Sequence, residues 1–127
     1  MSAYVVWIEM DRAKVFKIEA GKEKHPVIMH RREIKHHTSR DPENHKNSEK
    51  FFHDVAAELK GASEILLIGP GLAKQHFDAH LKRHHHDTLA KAVVGFESSD
   101  IVSDEKLLEL SRSFFKIFDI YGSQVRA

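Results

Sequence analysis

Residues 65–68 read ILLI, with no polar side chain on either alternating face. A strand of this kind must be covered on both sides, which places it inside a sheet rather than at a wetted surface. Gly69-Pro70-Gly71 follows, and then LAKQHFDAHLKRH (72–84), where Ala73, Phe77 and Leu81 recur at helical spacing. A buried strand that turns through glycines into an amphipathic helix is the building unit of α/β domains.

The rest of the chain supplies more of the same units. AYVVWIEM (3–10) is β-branched and aromatic and is expected to be a central strand. DRAK (11–14) makes a polar turn, VFKIE (15–19) alternates as a half-buried strand does, and HPVIMHRREIK (25–35) reads as a third, long and partly exposed strand. HHTSRDPENHKN (36–47) has no apolar residue and reads as a loop. Ser48 is then positioned to cap a helix whose buried stripe is Phe51, Phe52, Val55, Ala56 and Leu59, with Gly61 as its stop. After the helix at 72–84, Asp87 is placed to cap a short turn. KAVVGFES (91–98) reads as another buried strand, and Ser103 as the cap of a last helix.

The order β-β-β-α-β-α-β-α predicts an α/β fold with a ribonuclease H-like mixed five-stranded sheet. The later strands should run parallel to the first through right-handed crossovers. At 127 residues the expected organisation is one domain, 1–127, around a single core. No apolar run approaches the length of a membrane span, and the N-terminus lacks the pattern of a secretory signal, so no membrane partner and a cytoplasmic location are expected. The absence of cysteine excludes disulfides and thiol catalysis and fits a reducing compartment.

Glycine-rich turns between strand and helix often hold phosphate, but the spacing here argues otherwise. A P-loop requires G-x-x-x-x-G-K-[ST], whereas Gly69-Pro70-Gly71-Leu72-Ala73-Lys74-Gln75 is too short and Pro70 has no amide to donate. A dinucleotide fingerprint fails at its third glycine, where Lys74 stands. A tight turn is the expected role.

The turn resembles something more specific. ILLIGPGLAKQHF (65–77) is similar to a segment of the middle domain of archaeo-eukaryotic peptide chain release factors and of Pelota, a ribosome-rescue factor. That segment runs as an apolar strand, then G/S-P-G-x-x-K-x-x-F. VVWIEMDRAKVFKIEAGK (5–22) resembles the hairpin that opens the same domain. AVVGFESSDIVSDEKLLELSRSFF (92–115) resembles its closing strand, loop and helix. The resemblance covers essentially the whole chain and extends to compact bacterial relatives described as translational machinery proteins. It implies a translation-associated protein that binds ribosome, tRNA or rRNA. True release factors carry Gly-Gly-Gln in the loop after the third strand. The matching loop here, HHTSRDPENHKNSEK (36–50), has neither glycine nor glutamine, so peptide release is not implied and no catalytic residue is assigned. The recognition and partner-binding domains that flank the middle domain in those factors are also not expected here.

Net charge is only +1, but its placement is uneven. Residues 22–50 hold eight Lys or Arg against five Asp or Glu, together with five histidines, whereas 97–109 hold five acidic residues against Lys106. The RNA-binding candidates are therefore Arg31, Arg32, Lys35, His36, His37, Arg40, His45 and Lys46, with a second group in Lys74, Lys82 and Arg83. His76, His80 and His84 stack along one side of a helix, and two of them have the spacing to share zinc or nickel, with loop histidines to complete a site. Three residues over two turns span roughly 12 Å, too far for one ion to meet all three. The sequence thus assigns no metal and no cofactor.

Two other readings have a physical basis. The last helix has a wide apolar arc (Leu107, Leu108, Leu110, Phe114, Phe115, Ile117, Phe118), which with the acidic 97–109 segment suits a protein partner or a homodimer; burial against its own sheet is the plainer use. Glu9 and Asp11 share one side of an extended strand, as the carboxylates of magnesium-dependent nucleases do. Yet Asp11-Arg12 matches the release-factor hairpin turn.

Overall fold

The computed structural model describes residues 2–35, 45–100 and 103–116. Five strands form one sheet: β1 (Ala3–Ile8), β2 (Arg12–Ala20), β3 (Pro26–Lys35), β4 (Glu64–Ile68) and β5 (Val93–Glu97). Their order is β3-β2-β1-β4-β5. β1 pairs antiparallel with β2 and β2 antiparallel with β3, while β1–β4 and β4–β5 are parallel. This is the ribonuclease H-like mixed sheet that the order of elements predicts.

The helices are α1 (His45–Ala57), α2 (Ala73–His84), the short α3 (Leu89–Ala92) and α4 (Asp104–Phe114). β1 is buried at all six positions because its two faces meet different layers. Tyr4, Val6 and Ile8 pack with Phe51, Phe52, Val55, Phe77 and Leu81 under α1 and α2. Ala3, Val5 and Trp7 pack with Phe16, Leu66, Leu107, Leu110 and Phe115 under α4. The apolar run 65–68 divides between the same two cores, Ile65 and Leu67 on one side and Leu66 and Ile68 on the other.

Several expectations are corrected. β1 stops at Ile8, and the chain turns at once, with the Glu9 amide donating to the Arg12 carbonyl. Glu9 and Asp11 thus lie in a turn and not on a strand face. α1 starts at His45, so Ser48 falls inside the helix and does not cap it; 45–47 are polar and carry no apolar period to betray their helicity. β5 is not buried on both sides. It is an edge strand whose exposure alternates, and Val94 and Phe96 are 36% and 42% exposed. Ser103 caps α4 as expected, its hydroxyl accepting from the Lys106 amide. On α4 itself, Leu107 and Leu110 are buried, Leu108 and Phe114 half-buried, and every exposed position is polar. The apolar arc of this helix is used on its own sheet. Ile117 and Phe118 lie outside the described residues.

The Gly-Pro-Gly turn answers its question structurally. Gly69 has φ +145° and a side chain there would overlap the Ile8 carbonyl, while Gly71 has φ +62°. Lys74 reaches back from the first turn of α2, and its ammonium donates to Gly69 O at 3.0 Å and Gly71 O at 2.7 Å. The turn directs carbonyls at a cation, the opposite of what phosphate requires.

Candidate functional site

β3 is an edge strand exposed along most of its length. Alternation sends its cations to opposite sides. Arg31 pairs across from Phe16 and lies over the α4 face, whereas Arg32 pairs across from Val15 and lies over the α1 face. Arg31 grips Asp104, at the start of α4, with both guanidinium nitrogens, Nη1 donating to Oδ1 at 2.7 Å and Nη2 to Oδ2. That hydrogen bond raises the Arg31 pKa and holds the Asp104 carboxyl below its ordinary value. Arg32 Nε lies 3.4 Å from Glu58, just past the end of α1. Lys35 is exposed at the end of the strand.

Beside Arg31 is a cleft of about 490 Å³ lined by Trp7, Arg12, Lys14, Phe16, Arg31, Arg32, Glu33, Asp100 and Asp104. Arg12 and Lys14 lie 5.5 and 5.8 Å from the Trp7 ring centre, and Arg31 lies 5.8 Å from that of Phe16. The rings are 5% and 7% exposed, so cations form the reachable surface and the aromatics its floor. A wall of four cations with three carboxylates in it suits phosphate contacts better than base stacking.

The second basic group divides. Lys74 is 3% exposed and committed to the Gly-Pro-Gly turn, which removes it from any RNA-facing surface. Its position at the start of a helix concealed this, because only the fold shows the turn's carbonyls pointing back at it. Lys82 and Arg83 remain at the surface, paired with Asp78 at 3.0 Å and Glu49 at 2.9 Å. His36, His37 and Arg40 lie outside the described residues. His45 and Lys46 open α1, and their side chains lie outside the description as well.

The histidines gather differently from the expected stack. His76 is exposed and apart, while His80 and His84 of α2 meet His53 of α1. Ring centres are 4.6 Å apart for His53–His80, 4.5 Å for His80–His84 and 5.0 Å for His53–His84. Glu49, one turn before His53, sets Oε1 3.5 Å from His80 Nδ1 and Oε2 3.3 Å from His84 Nε2. Desolvation pushes Glu49 up, but the Arg83 hydrogen bond and the nearby His80 and His84 outweigh it, leaving the carboxyl below its ordinary value. His80 is fully buried, and burial, followed by the neighbouring His53, pushes it down to about 4. Among the described residues, His53, His80 and His84 are the group whose donor atoms come close enough to share an ion. Glu9 and Asp11 join no such group, and Glu9 instead pairs with Arg12 at 3.3 Å.

The sheet order and the antiparallel hairpin leading it define a domain of the ribonuclease H-like α/β class. Solved structures that share this fold include Archaeoglobus fulgidus Pelota, at TM-score 0.62 and 22% identity over 92% of this chain and 32% of that one. Thermoplasma acidophilum Pelota matches at TM-score 0.60 and 17% identity, over 87% of this chain and 32% of that one. The archaeal translation termination factor aRF1 matches at TM-score 0.63 and 16% identity, over 98% of this chain and 36% of that one. The chain spans about a third of each. Comparison with protein-family models and with curated proteins finds no match. Among the described residues, no helix is long and apolar enough to cross a membrane.

Proposed function

We infer that this is a translation-associated protein of the cytoplasm, which binds the ribosome or a structured tRNA or rRNA and does not release peptide. One observation carries the reading. A sheet with the fold of a translation-factor domain presents its exposed edge strand, with Arg31, Arg32 and Lys35, immediately before the polar segment 36–46, which holds Arg40, Lys46 and three histidines. In the resembling release factors that segment bears the Gly-Gly-Gln that this sequence lacks. His36, His37, Arg40, His45 and Lys46 would extend the contact, and Lys82 and Arg83 would add to it from α2. The chemistry is phosphate neutralisation, in which each Lys or Arg contact releases counterions and makes affinity fall with salt.

Sedimentation of cell lysate through a sucrose gradient at low salt tests this. The protein is expected in the ribosomal fractions, and the combined change of Arg31, Arg32, Lys35 and Arg40 to Ala should move it toward the top. Wild-type protein confined to the top fractions would overturn ribosome binding, and failure to shift bulk tRNA or rRNA as well would overturn RNA binding altogether.

A further inference from the structure

The geometry points to a binding site for one divalent transition-metal ion, zinc by its donor set, formed by Glu49 and His53 of α1 with His80 and His84 of α2. Each helix contributes donors four residues apart, so each pair lies one turn apart on a single face. The two faces meet: the imidazole donor atoms all lie within 4.8 Å of one another, and the Glu49 oxygens contact both α2 histidines. Tetrahedral zinc with bonds near 2.1 Å needs donors about 3.4 Å apart. Small side-chain rotations close that gap, because His53 and His84 are exposed and able to swing.

His80 is the independent sign that something is to be bound. It is fully buried, and among the described residues neither ring nitrogen makes a hydrogen bond, Nδ1 having only the 3.5 Å ion-pair contact with Glu49. A buried polar atom without a partner is costly, and native structures rarely keep one without a reason. The ring is aimed at two other imidazoles, which cannot all satisfy one another, whereas a cation satisfies all three lone pairs together. Three neutral imidazoles and one carboxylate are a donor set that zinc accepts. Arg83, bonded to Glu49 Oε1 at 2.9 Å, would orient the carboxylate from outside the ligand shell. With four protein donors the site is closed, so the ion would pin α1 to α2 rather than carry out chemistry. This site stands independently of RNA binding.

So many exposed histidines make retention on a metal resin uninformative. The test uses untagged, chelator-treated full-length protein titrated with zinc against a chromophoric competitor. One equivalent should bind with a dissociation constant at or below about 1 μM. Replacing His53 and His84 together with Ala should weaken that equivalent by about 100-fold or more. Replacing His76 and His86, which are exposed and outside the cluster, should leave it unchanged. One equivalent of zinc should also raise the melting temperature of wild type and of the His76/His86 variant, but not of the His53/His84 variant. Should that variant fail to fold, cobalt decides: intense visible bands from wild type support a tetrahedral site, and the weak spectrum of the hydrated ion overturns it. Zinc binding no tighter than to scattered surface histidines, or a tight equivalent that survives loss of His53 and His84, also overturns it.

Discussion

Lys74 shows how a residue that looks available can be fully committed. Its ammonium is buried against two turn carbonyls whose glycines hold backbone angles other residues disfavour. Hydrogen bonds from a charged donor contribute about 1.5–3 kcal/mol each, so Lys74→Met should lower stability by about 2 kcal/mol or more, seen as an earlier urea midpoint. RNA affinity per folded molecule should not change. His80 makes the opposite case, a titratable ring kept neutral. Its folded pKa of about 4 lies below its ordinary 6.5, with His53, His84 and Glu49 facing it. A depressed histidine stabilises the fold fully above the unfolded value, and that contribution is lost as pH falls from 6.5 toward 4, because the unfolded chain takes up the proton first. In metal-free buffer, wild type should lose about 2 kcal/mol more between pH 7 and pH 5 than His80→Leu does, measured by urea unfolding at each pH. Equal losses would show that His80 does not titrate as its burial requires.

Elements were legible where their pattern was local. The order of strands and helices follows from runs such as AYVVWI and ILLI and from the helical stripe of Phe51, Phe52, Val55 and Leu59, because each needs only its own periodicity. What failed depended on neighbours. AVVGF looks alike in a central or an edge strand, and only the sheet order shows that β5 has one partner among the described residues. Gly95 marks the packing there, since a side chain on it would run into the Phe114 ring of α4. Arg31 and Arg32 read as one basic patch, although strand alternation alone already separates them onto two faces. The His76–His80–His84 stack was visible, but the true meeting of side chains needs α1 packed on α2. A signal did exist in two one-turn spacings, Glu49 to His53 and His80 to His84, which say nothing until the helices are known to face each other. The polar segment 36–44, with His36, His37 and Arg40, lies outside the described residues, so its part in the candidate site rests on sequence.

At the scale of the whole molecule, charge is balanced by pairing rather than by scarcity. Net charge is +1, and the cations of the candidate surface mostly have carboxylate partners: Arg12 with Glu9 and Glu33, Arg31 with Asp104, Arg32 with Glu58, Lys82 with Asp78, Arg83 with Glu49. Long-range attraction to a polyanion is therefore weak, and binding must exchange internal ion pairs for phosphate contacts. The Arg31–Asp104 pair isolates that exchange, because both side chains are more than half exposed and the bridge itself adds little stability. Asp104→Asn keeps the shape and the start of α4 while releasing the guanidinium. If β3 faces RNA, this variant should bind bulk tRNA a few-fold more tightly at low salt. Its plot of log affinity against log salt should steepen by roughly 0.7–0.9, one further phosphate contact. Filter binding across a salt series reads both quantities, and an unfolding curve matching wild type shows that α4 has stayed in place. Unchanged affinity and slope would mean that the α4 side of the edge strand faces away from RNA, leaving Arg32 and the α1 side as the interface.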